Sequence, residues 1–149
     1  MAILSEETVQ LNVPTTSKED AIRQAGELLV KGGHVSPSYI KGMLAREQTM
    51  STYIGNGVAI PHGTFDDKES INSTGISVVQ YPEGVVWDAD EGETAYLVIG
   101  IAATASEHVG VLSNLAEAIE EPESAEQLLR ATDPTVIIAR LSRPKEEDA

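Results

Sequence analysis

The segment from Thr94 to Ala103 is apolar at nearly every position, and it constrains the fold more than any other feature of the chain. A strand at a protein surface alternates polar and apolar residues, whereas a strand that is buried on both faces is apolar throughout. The run is also too short to cross a lipid bilayer as a helix. We therefore predict a strand at the centre of a sheet, with a layer of structure against each face.

Helix signals occur in the sequence both before and after this strand, and the predicted helices would form the two layers. Each predicted helix opens with a capping residue or with a proline in its first turn, and apolar residues follow at helical spacing. These starts lie at Ser17, Ser36-Pro37, Ser106, Pro122 and Asp133-Pro134. The pair Gly32-Gly33 is expected to end the first helix.

Shorter strands precede the apolar one. The run from Val58 to Ile60 leads into Pro61-His62, and a proline there favours the end or the edge of a sheet. A further strand is predicted over residues 76–81. A turn at Tyr81-Pro82-Glu83-Gly84 and a return strand at residues 85–87 would complete a hairpin.

The interleaving of these strands with helices predicts an α/β fold, with a mixed, mostly parallel sheet flanked by helices on both faces. The 149 residues suffice for one hydrophobic core, and no repeat or linker divides the chain. We therefore predict one domain over residues 1–142, followed by a frayed tail at residues 143–149.

Charge and composition exclude several classes of function. The chain carries 24 acidic and 10 basic residues, a net charge of −14, which opposes binding to nucleic acid and favours a partner protein with a basic patch. Cysteine is absent, so disulfides, thiolate nucleophiles and cysteine metal sites are excluded. The first residues lack the pattern of a signal peptide and no apolar run suits membrane insertion, so a cytoplasmic protein is expected.

Histidine is the best candidate for reactive chemistry, and the chain has three, at His34, His62 and His108. His62 lies within Gly55-Asn56-Gly57-Val58-Ala59-Ile60-Pro61-His62-Gly63-Thr64, where proline stiffens the backbone and glycines allow another protein to approach closely. The hydroxyl of Thr64 is placed to donate to a phosphoryl oxygen. These features suit a nucleophilic imidazole.

His108 follows the apolar strand and is expected in the first turn of a helix, where free N–H groups and the helix dipole favour an anion. Both His62 and His108 would then lie at strand ends, where open α/β sheets collect their binding sites. A nucleophilic nitrogen beside several hydrogen-bond donors would suit a phosphoryl group.

Each candidate also has a plainer interpretation. His62 would be an ordinary loop residue and His108 a surface histidine, and His34 is interpreted as structural. Arg46 would either form a surface ion pair with Glu47 or Glu27, or steady a phosphate. A zinc site would need three protein ligands, and no His-Glu-x-x-His pattern is present, so neither a metal nor another cofactor is expected.

The sequence nevertheless resembles a known family. The block from Gly55 to Thr64 looks like the active-site signature of the IIA components of the bacterial sugar phosphotransferase system, in the mannitol/fructose class and closest to the mannitol-specific type. The resemblance extends from about Glu19 to Leu141. Further matching segments are Leu28–Gly33, Tyr39-Ile40, Met43–Glu47, Gln80–Val85, Leu97–Ala103 and Glu107-His108.

The resemblance implies a fold and a function. In this family the histidine that matches His62 accepts a phosphoryl group on Nε2 from the phosphocarrier protein HPr. It passes the group to a IIB domain, here of a mannitol-type permease, for sugar uptake and phosphorylation. The histidine that matches His108 assists, and the arginine that matches Arg46 lies near the site. The family fold is a mixed sheet between layers of helices.

Alternatives to this hypothesis stay open. The segment Thr104-Ala105-Ser106 departs from mannitol-type members, which often carry Arg and Asn there. A nitrogen-type regulatory homologue that signals by its phosphorylation state, or a fructose-specific IIA, would share the same fold. A binding module with incidental histidines is the third possibility.

Overall fold

The computed structural model describes residues 3–104 and 107–141; the side chains of residues 65, 66, 108 and 109 are outside this description. Two short 3₁₀ turns, Glu6–Thr8 and Phe65–Ser70, accompany the main elements. The strands are β1 (Val9–Gln10), β2 (Tyr53–Gly55), β3 (Val58–Ala59), β4 (Gly75–Asp88) and β5 (Glu93–Ala102). The helices are α1 (Lys18–Lys31), α2 (Ser38–Thr49), α3 (His108–Glu120), α4 (Pro122–Leu129) and α5 (Pro134–Leu141).

The strands form one mixed sheet in the order β1-β4-β5-β3-β2. The pairs β1–β4 and β3–β5 are parallel, whereas β4–β5 and β2–β3 are antiparallel. The mixed sheet is therefore confirmed, but parallel pairs do not predominate, and the long β4–β5 pair is antiparallel. The interleaving of strands with helices predicts mostly parallel pairs, but an antiparallel neighbour satisfies the burial of β5 equally well once helices cover both faces of the sheet.

The apolar strand β5 lies at the centre, as predicted. Leu97, Ile99 and Ile101 point to one face, where they pack in a core with α3, α4 and α5. Val98 and Ala102 point to the other face and pack with α1 and α2. All five side chains are fully buried, so the two-layer covering inferred from the sequence is confirmed.

The predicted turn at residues 81–84 is wrong. Strand β4 continues through it, because Gln80 pairs with Leu97 and Val85 pairs with Ala95, so the intervening residues form a bulge. Gly84, at φ +83°, provides the backbone conformation for this irregularity. The chain reverses after Asp88 instead, and β5 is long enough to pair with both halves of β4.

The helix starts agree with most of the predictions. The Ser17 hydroxyl accepts a hydrogen bond from Asp20 N at 3.2 Å and caps α1. Helix α2 begins at Ser38, two residues after the predicted cap, and the Ser36 hydroxyl bonds to that of Ser38 instead. The predicted cap Ser106 and the predicted tail at 143–149 lie outside the described residues.

Candidate functional site

The loop that carries His62 is attached to the end of the central strand. Ile101 N donates to the Pro61 carbonyl at 3.0 Å, and His62 forms an isolated parallel bridge with Ile101. Strand β3 ends at Ala59, so His62 follows a strand end, as the sequence predicted. The nucleophile candidate is thus held by backbone contacts to the central strand β5.

The imidazole of His62 has a defined tautomer. Its Nδ1 lies 2.8 Å from the Ile60 carbonyl oxygen. A carbonyl can only accept, so Nδ1 carries the proton and the neutral ring keeps its lone pair on Nε2. The geometry therefore prepares Nε2 as the nucleophilic atom.

Tyr39 fixes the loop on the other side of His62. Its hydroxyl donates to the Ile101 carbonyl and accepts from Gly63 N, both at 2.8 Å. Burial raises the pKa of Tyr39 to about 12, so the phenol stays neutral and keeps its proton for Ile101. A Cβ at Gly63 would lie 2.7 Å from the Tyr39 ring, which explains the glycine beside the histidine.

Thr64 is tied to Asp67 by a short local turn. Thr64 N and Thr64 Oγ1 both donate to Asp67 Oδ2, at 2.7 and 3.0 Å. The carboxylate packs against α2, since a Cβ at Gly42 would lie 2.2 Å from Asp67 Oδ2. The Thr64 hydroxyl must rotate away from Asp67 to donate to a phosphoryl oxygen, and that role stays a prediction.

His108 is the first residue of α3, as predicted, and its side chain lies outside the described part. Helix α3 follows closely on the end of β5 at Ala102. The Glu107 carboxylate before the helix accepts hydrogen bonds from the hydroxyls of Thr74 and Thr104. The amino end of α3 thus follows the strand to which His62 is attached, and the role of His108 stays a prediction.

Arg46 lies in the last turn of α2. Its guanidinium Nη1 donates to the Met50 carbonyl at 2.7 Å. The predicted alternative, a surface ion pair with Glu47 or Glu27, is wrong: among the described residues no salt bridge joins Arg46 to either carboxylate, and Glu47 pairs with Lys18 at 3.2 Å. Phosphate binding by Arg46 stays a prediction.

His34 has the structural position that the sequence indicated. It is 2% exposed, and its Nδ1 lies 3.0 Å from the hydroxyl of Ser73. A Cβ at Gly75 would lie 2.1 Å from the His34 ring. Burial lowers the pKa of His34, so the ring is kept neutral within the protein.

A cavity of about 990 Å³ lies apart from these residues, between α4 and the bulged part of β4. Its lining includes Gln80, Pro82, Tyr96 and Leu129 and none of the predicted site residues. Within residues 3–104 and 107–141, leaving aside the side chains of residues 65, 66, 108 and 109, no group of three or more His, Asp or Glu is arranged to hold a metal ion. No helix in the same ranges is both long enough and apolar enough to span a membrane.

Sequence reasoning missed the residues that hold the loop. Tyr39 falls on the apolar face of α2 and is indistinguishable there from a core residue. Asp67 has a local signal in the sequence, because a Thr followed three residues later by an acidic residue is the spacing of a capping box, in which the carboxylate accepts from the Thr N–H. For Glu47 the sequence suggests only a surface ion pair with Arg46, whereas the structure buries it to 7% exposure.

Comparisons with known proteins identify the family of the chain. Residues 2–143 match the family described as phosphoenolpyruvate-dependent sugar phosphotransferase system, EIIA 2. The mannitol-specific phosphotransferase enzyme IIA component of Bacillus subtilis is 44% identical over 93% of this chain and 96% of its own length.

A solved structure shows the same fold. It is the complex of enzyme IIAMTL and phosphorylated enzyme IIBMTL from Escherichia coli, with 40% identity, a TM-score of 0.86, and coverage of 95% of this chain and 98% of that chain. The multiphosphoryl transfer protein of Escherichia coli O157:H7 is 43% identical over 97% of this chain, which spans only 38% of that protein. Because residues 2–143 match the family model and because the similarity to an enzyme IIA component extends over nearly the full length of both proteins, the chain belongs to the EIIA 2 family of the phosphoenolpyruvate-dependent sugar phosphotransferase system.

Proposed function

We propose that the chain is a phosphohistidine carrier of the sugar phosphotransferase system, of the mannitol type. His62 accepts a phosphoryl group from phosphorylated HPr and passes it to the EIIB component of a mannitol-type permease, as a cytoplasmic step of sugar uptake. The observation that carries the proposal is the hydrogen bond from His62 Nδ1 to the Ile60 carbonyl, which places the lone pair on Nε2.

The chemistry follows from that tautomer. Nε2 attacks the phosphorus atom, and the bond from phosphorus to the donor histidine breaks as the new P–N bond forms. Nδ1 keeps its proton throughout, and the Ile60 carbonyl stabilises the positive charge that the ring gains. In the second step a nucleophile of EIIB attacks the phosphorus, and His62 leaves as a neutral imidazole. Positioning, rather than proton transfer, is the main contribution of the protein.

Three further residues complete the proposed site. His108 stabilises the phosphoryl oxygens from the first turn of α3, where the helix dipole also favours an anion. Arg46 and Thr64 bind the phosphoryl group once their side chains leave Met50 and Asp67. The net charge of −14 attracts a basic surface on HPr and speeds encounter.

The mannitol assignment rests on the relatives. The enzyme IIA component from Bacillus subtilis is named mannitol-specific, and the chain covers nearly all of it. The complex from Escherichia coli pairs enzyme IIAMTL with phosphorylated enzyme IIBMTL, and its IIA subunit has the same fold over almost its full length. Both favour a mannitol-type EIIB over the nitrogen-type and fructose-type alternatives.

A reconstituted phosphotransfer assay tests the proposal. The chain is incubated with enzyme I, HPr and radiolabelled phosphoenolpyruvate, and wild type is compared with His62→Ala and with His108→Gln. We expect label on wild type and on His108→Gln and none on His62→Ala, with circular dichroism showing that all three are folded. Label that persists on His62→Ala would refute the assignment of the acceptor.

A second stage tests the acceptor. Labelled protein, freed of HPr, is mixed with a purified EIIB of mannitol type or of fructose type. We expect rapid transfer to the mannitol-type domain and slow transfer to the other. Preference for the fructose-type domain would refute the mannitol assignment, and transfer to neither would favour a regulatory protein.

A further inference from the structure

Glu47 is a buried carboxylate that the proposed reaction does not use. Its side chain is 4% exposed, and Oε2 accepts from Thr52 N at 3.0 Å and from Trp87 Nε1 at 2.9 Å. Lys18 Nζ lies 3.2 Å from the same oxygen, and Oε1 accepts from the Thr52 hydroxyl. Both carboxylate oxygens are therefore engaged, and two of their hydrogen bonds go to a single residue, Thr52.

Thr52 is linked in turn to His62 through the edge of the sheet. Ile60 N donates to the Thr52 carbonyl at 3.0 Å, next to the β2–β3 pair of Tyr53 and Ala59. The Ile60 carbonyl then accepts from His62 Nδ1 at 2.8 Å. A continuous series of hydrogen bonds thus joins Glu47, Thr52, Ile60 and the imidazole.

The segment that Glu47 holds has little other support. Strand β2 has three residues and β3 has two, and β2 is the edge strand. Met50 and Ser51, which connect α2 to Thr52, are exposed, with Met50 at 68%. Such short ladders supply few hydrogen bonds, so the position of Thr52 depends strongly on its side-chain partner.

The Glu47 carboxylate is also held by two residues on the side away from Thr52. Lys18 belongs to α1 and Trp87 to β4, and the ammonium lies 5.2 Å from the centre of the indole ring. Glu47 therefore connects the edge of the sheet to the α1–α2 layer. A buried carboxylate with this set of partners is costly to replace with an uncharged group that lacks two acceptor oxygens.

We infer that Glu47 is a positioning residue for His62: through Thr52 and Ile60 it fixes the carbonyl that sets the tautomer and the orientation of the imidazole. The inference deepens the proposed function, because it matters only if His62 is the phosphoryl acceptor. Its first readout, the tautomer, needs no phosphotransfer. Failure of the inference is therefore distinguishable from failure of the proposed function.

The test combines nitrogen-15 NMR of the imidazole with the kinetics of phosphoryl acceptance. The variants Glu47→Ala, Thr52→Val and Glu47→Gln are compared with wild type at alkaline pH, where the ring is neutral. Thr52→Val removes one hydrogen bond to Glu47 and keeps the backbone, so it serves if Glu47→Ala does not fold. Glu47→Gln retains one carbonyl oxygen for Thr52 N, and its amide can donate to the Thr52 hydroxyl.

Two controls separate positioning from stability. Lys18→Met removes the cation on the far side of Glu47 and leaves both contacts with Thr52. Leu128→Ala destabilises the core on the opposite face of the sheet, where Leu128 is 1% exposed. Neither substitution alters the series of hydrogen bonds between Glu47 and His62.

We expect the wild-type His62 to carry its proton on Nδ1, and Glu47→Ala to move a large share of it to Nε2. The turnover rate for acceptance should fall by about tenfold to 100-fold, because a misplacement of about 1 Å costs up to that much. KM for phosphorylated HPr should stay within about twofold, since the docking surface is unchanged. Thr52→Val should show a smaller shift of the tautomer and a smaller loss of rate, and Glu47→Gln should keep most of the wild-type tautomer and rate. A wild-type tautomer in both Glu47→Ala and Thr52→Val, or an equal shift in Leu128→Ala, would overturn the inference.

Discussion

Replacing Tyr39 with phenylalanine removes one oxygen atom that joins two segments of the proposed active site. The hydroxyl accepts from Gly63 N and donates to the Ile101 carbonyl, and the tyrosine is 2% exposed. Phenylalanine fills the same space, so the change leaves no large cavity. The effect should therefore come from two lost hydrogen bonds and little else.

The size of the effect follows from what becomes of the two backbone groups. A buried polar group that loses its partner costs about 1–3 kcal/mol. The Ile101 carbonyl is buried, whereas Gly63 is half-buried and its N–H can be rehydrated. We therefore expect the free energy of unfolding to fall by about 2–3 kcal/mol, near the lower end of the sum for two groups.

Urea denaturation measures the stability, and the rate of phosphoryl acceptance from HPr measures the function. Tyr81→Phe is the matched control, because the Tyr81 hydroxyl bonds to the half-buried Gln24 side chain in α1, away from His62. We expect a loss of only about 1 kcal/mol for Tyr81→Phe with normal transfer. We expect Tyr39→Phe to slow transfer by about tenfold or more, because the loop next to His62 is released. Normal stability and transfer in Tyr39→Phe, or equal slowing in Tyr81→Phe, would refute this reasoning.

Two further predictions concern pH and salt. Burial lowers the folded-state pKa of His34 below its unfolded value of about 6.5, so the unfolded chain binds more protons as the pH falls below that value. The free energy of unfolding should therefore decrease as the pH falls, by at most about 1.4 kcal/mol per pH unit. Urea denaturation at several pH values should show a smaller decrease for His34→Gln than for wild type. An equal decline in both proteins would show that carboxylates cause it. The association rate with HPr, measured by stopped flow, should fall as salt rises because of the net charge of −14, and a salt-independent rate would show that the acidic surface lies away from the interface.

The layers of the fold could be predicted from the sequence because they rest on local patterns. The apolar run became β5, and the periodic segments around it became helices on both faces. The bulge in β4 could not be predicted in the same way. Pro82 and Gly84 occur in turns and in bulges alike, and the choice depends on whether a long partner strand lies alongside.

The residues of the site show the same difference between local and long-range signals. His62 could be identified because its glycines and its proline are neighbours in sequence. Tyr39 reaches Ile101 across 62 positions and Gly63 across 24, and its partners are backbone groups that have no signature in the sequence. Glu47 bonds to Thr52, which is only five positions away in the sequence. The Glu47 carboxylate is also bonded to Trp87, which lies 40 positions after Glu47, and the sequence gives no sign of that contact.

The structure also explains how a loop can be open to partner proteins and still hold its nucleophile in one orientation. Tyr39 and Glu47 are eight residues apart on the same buried face of α2, with Met43 between them, about 12 Å along the helix axis. One holds the backbone just after His62, and the other holds, through Thr52, the carbonyl just before it. Both attachments end on the backbone of the loop. Because the loop is held from one side by the single helix α2, its outer side is left for contacts with partner proteins.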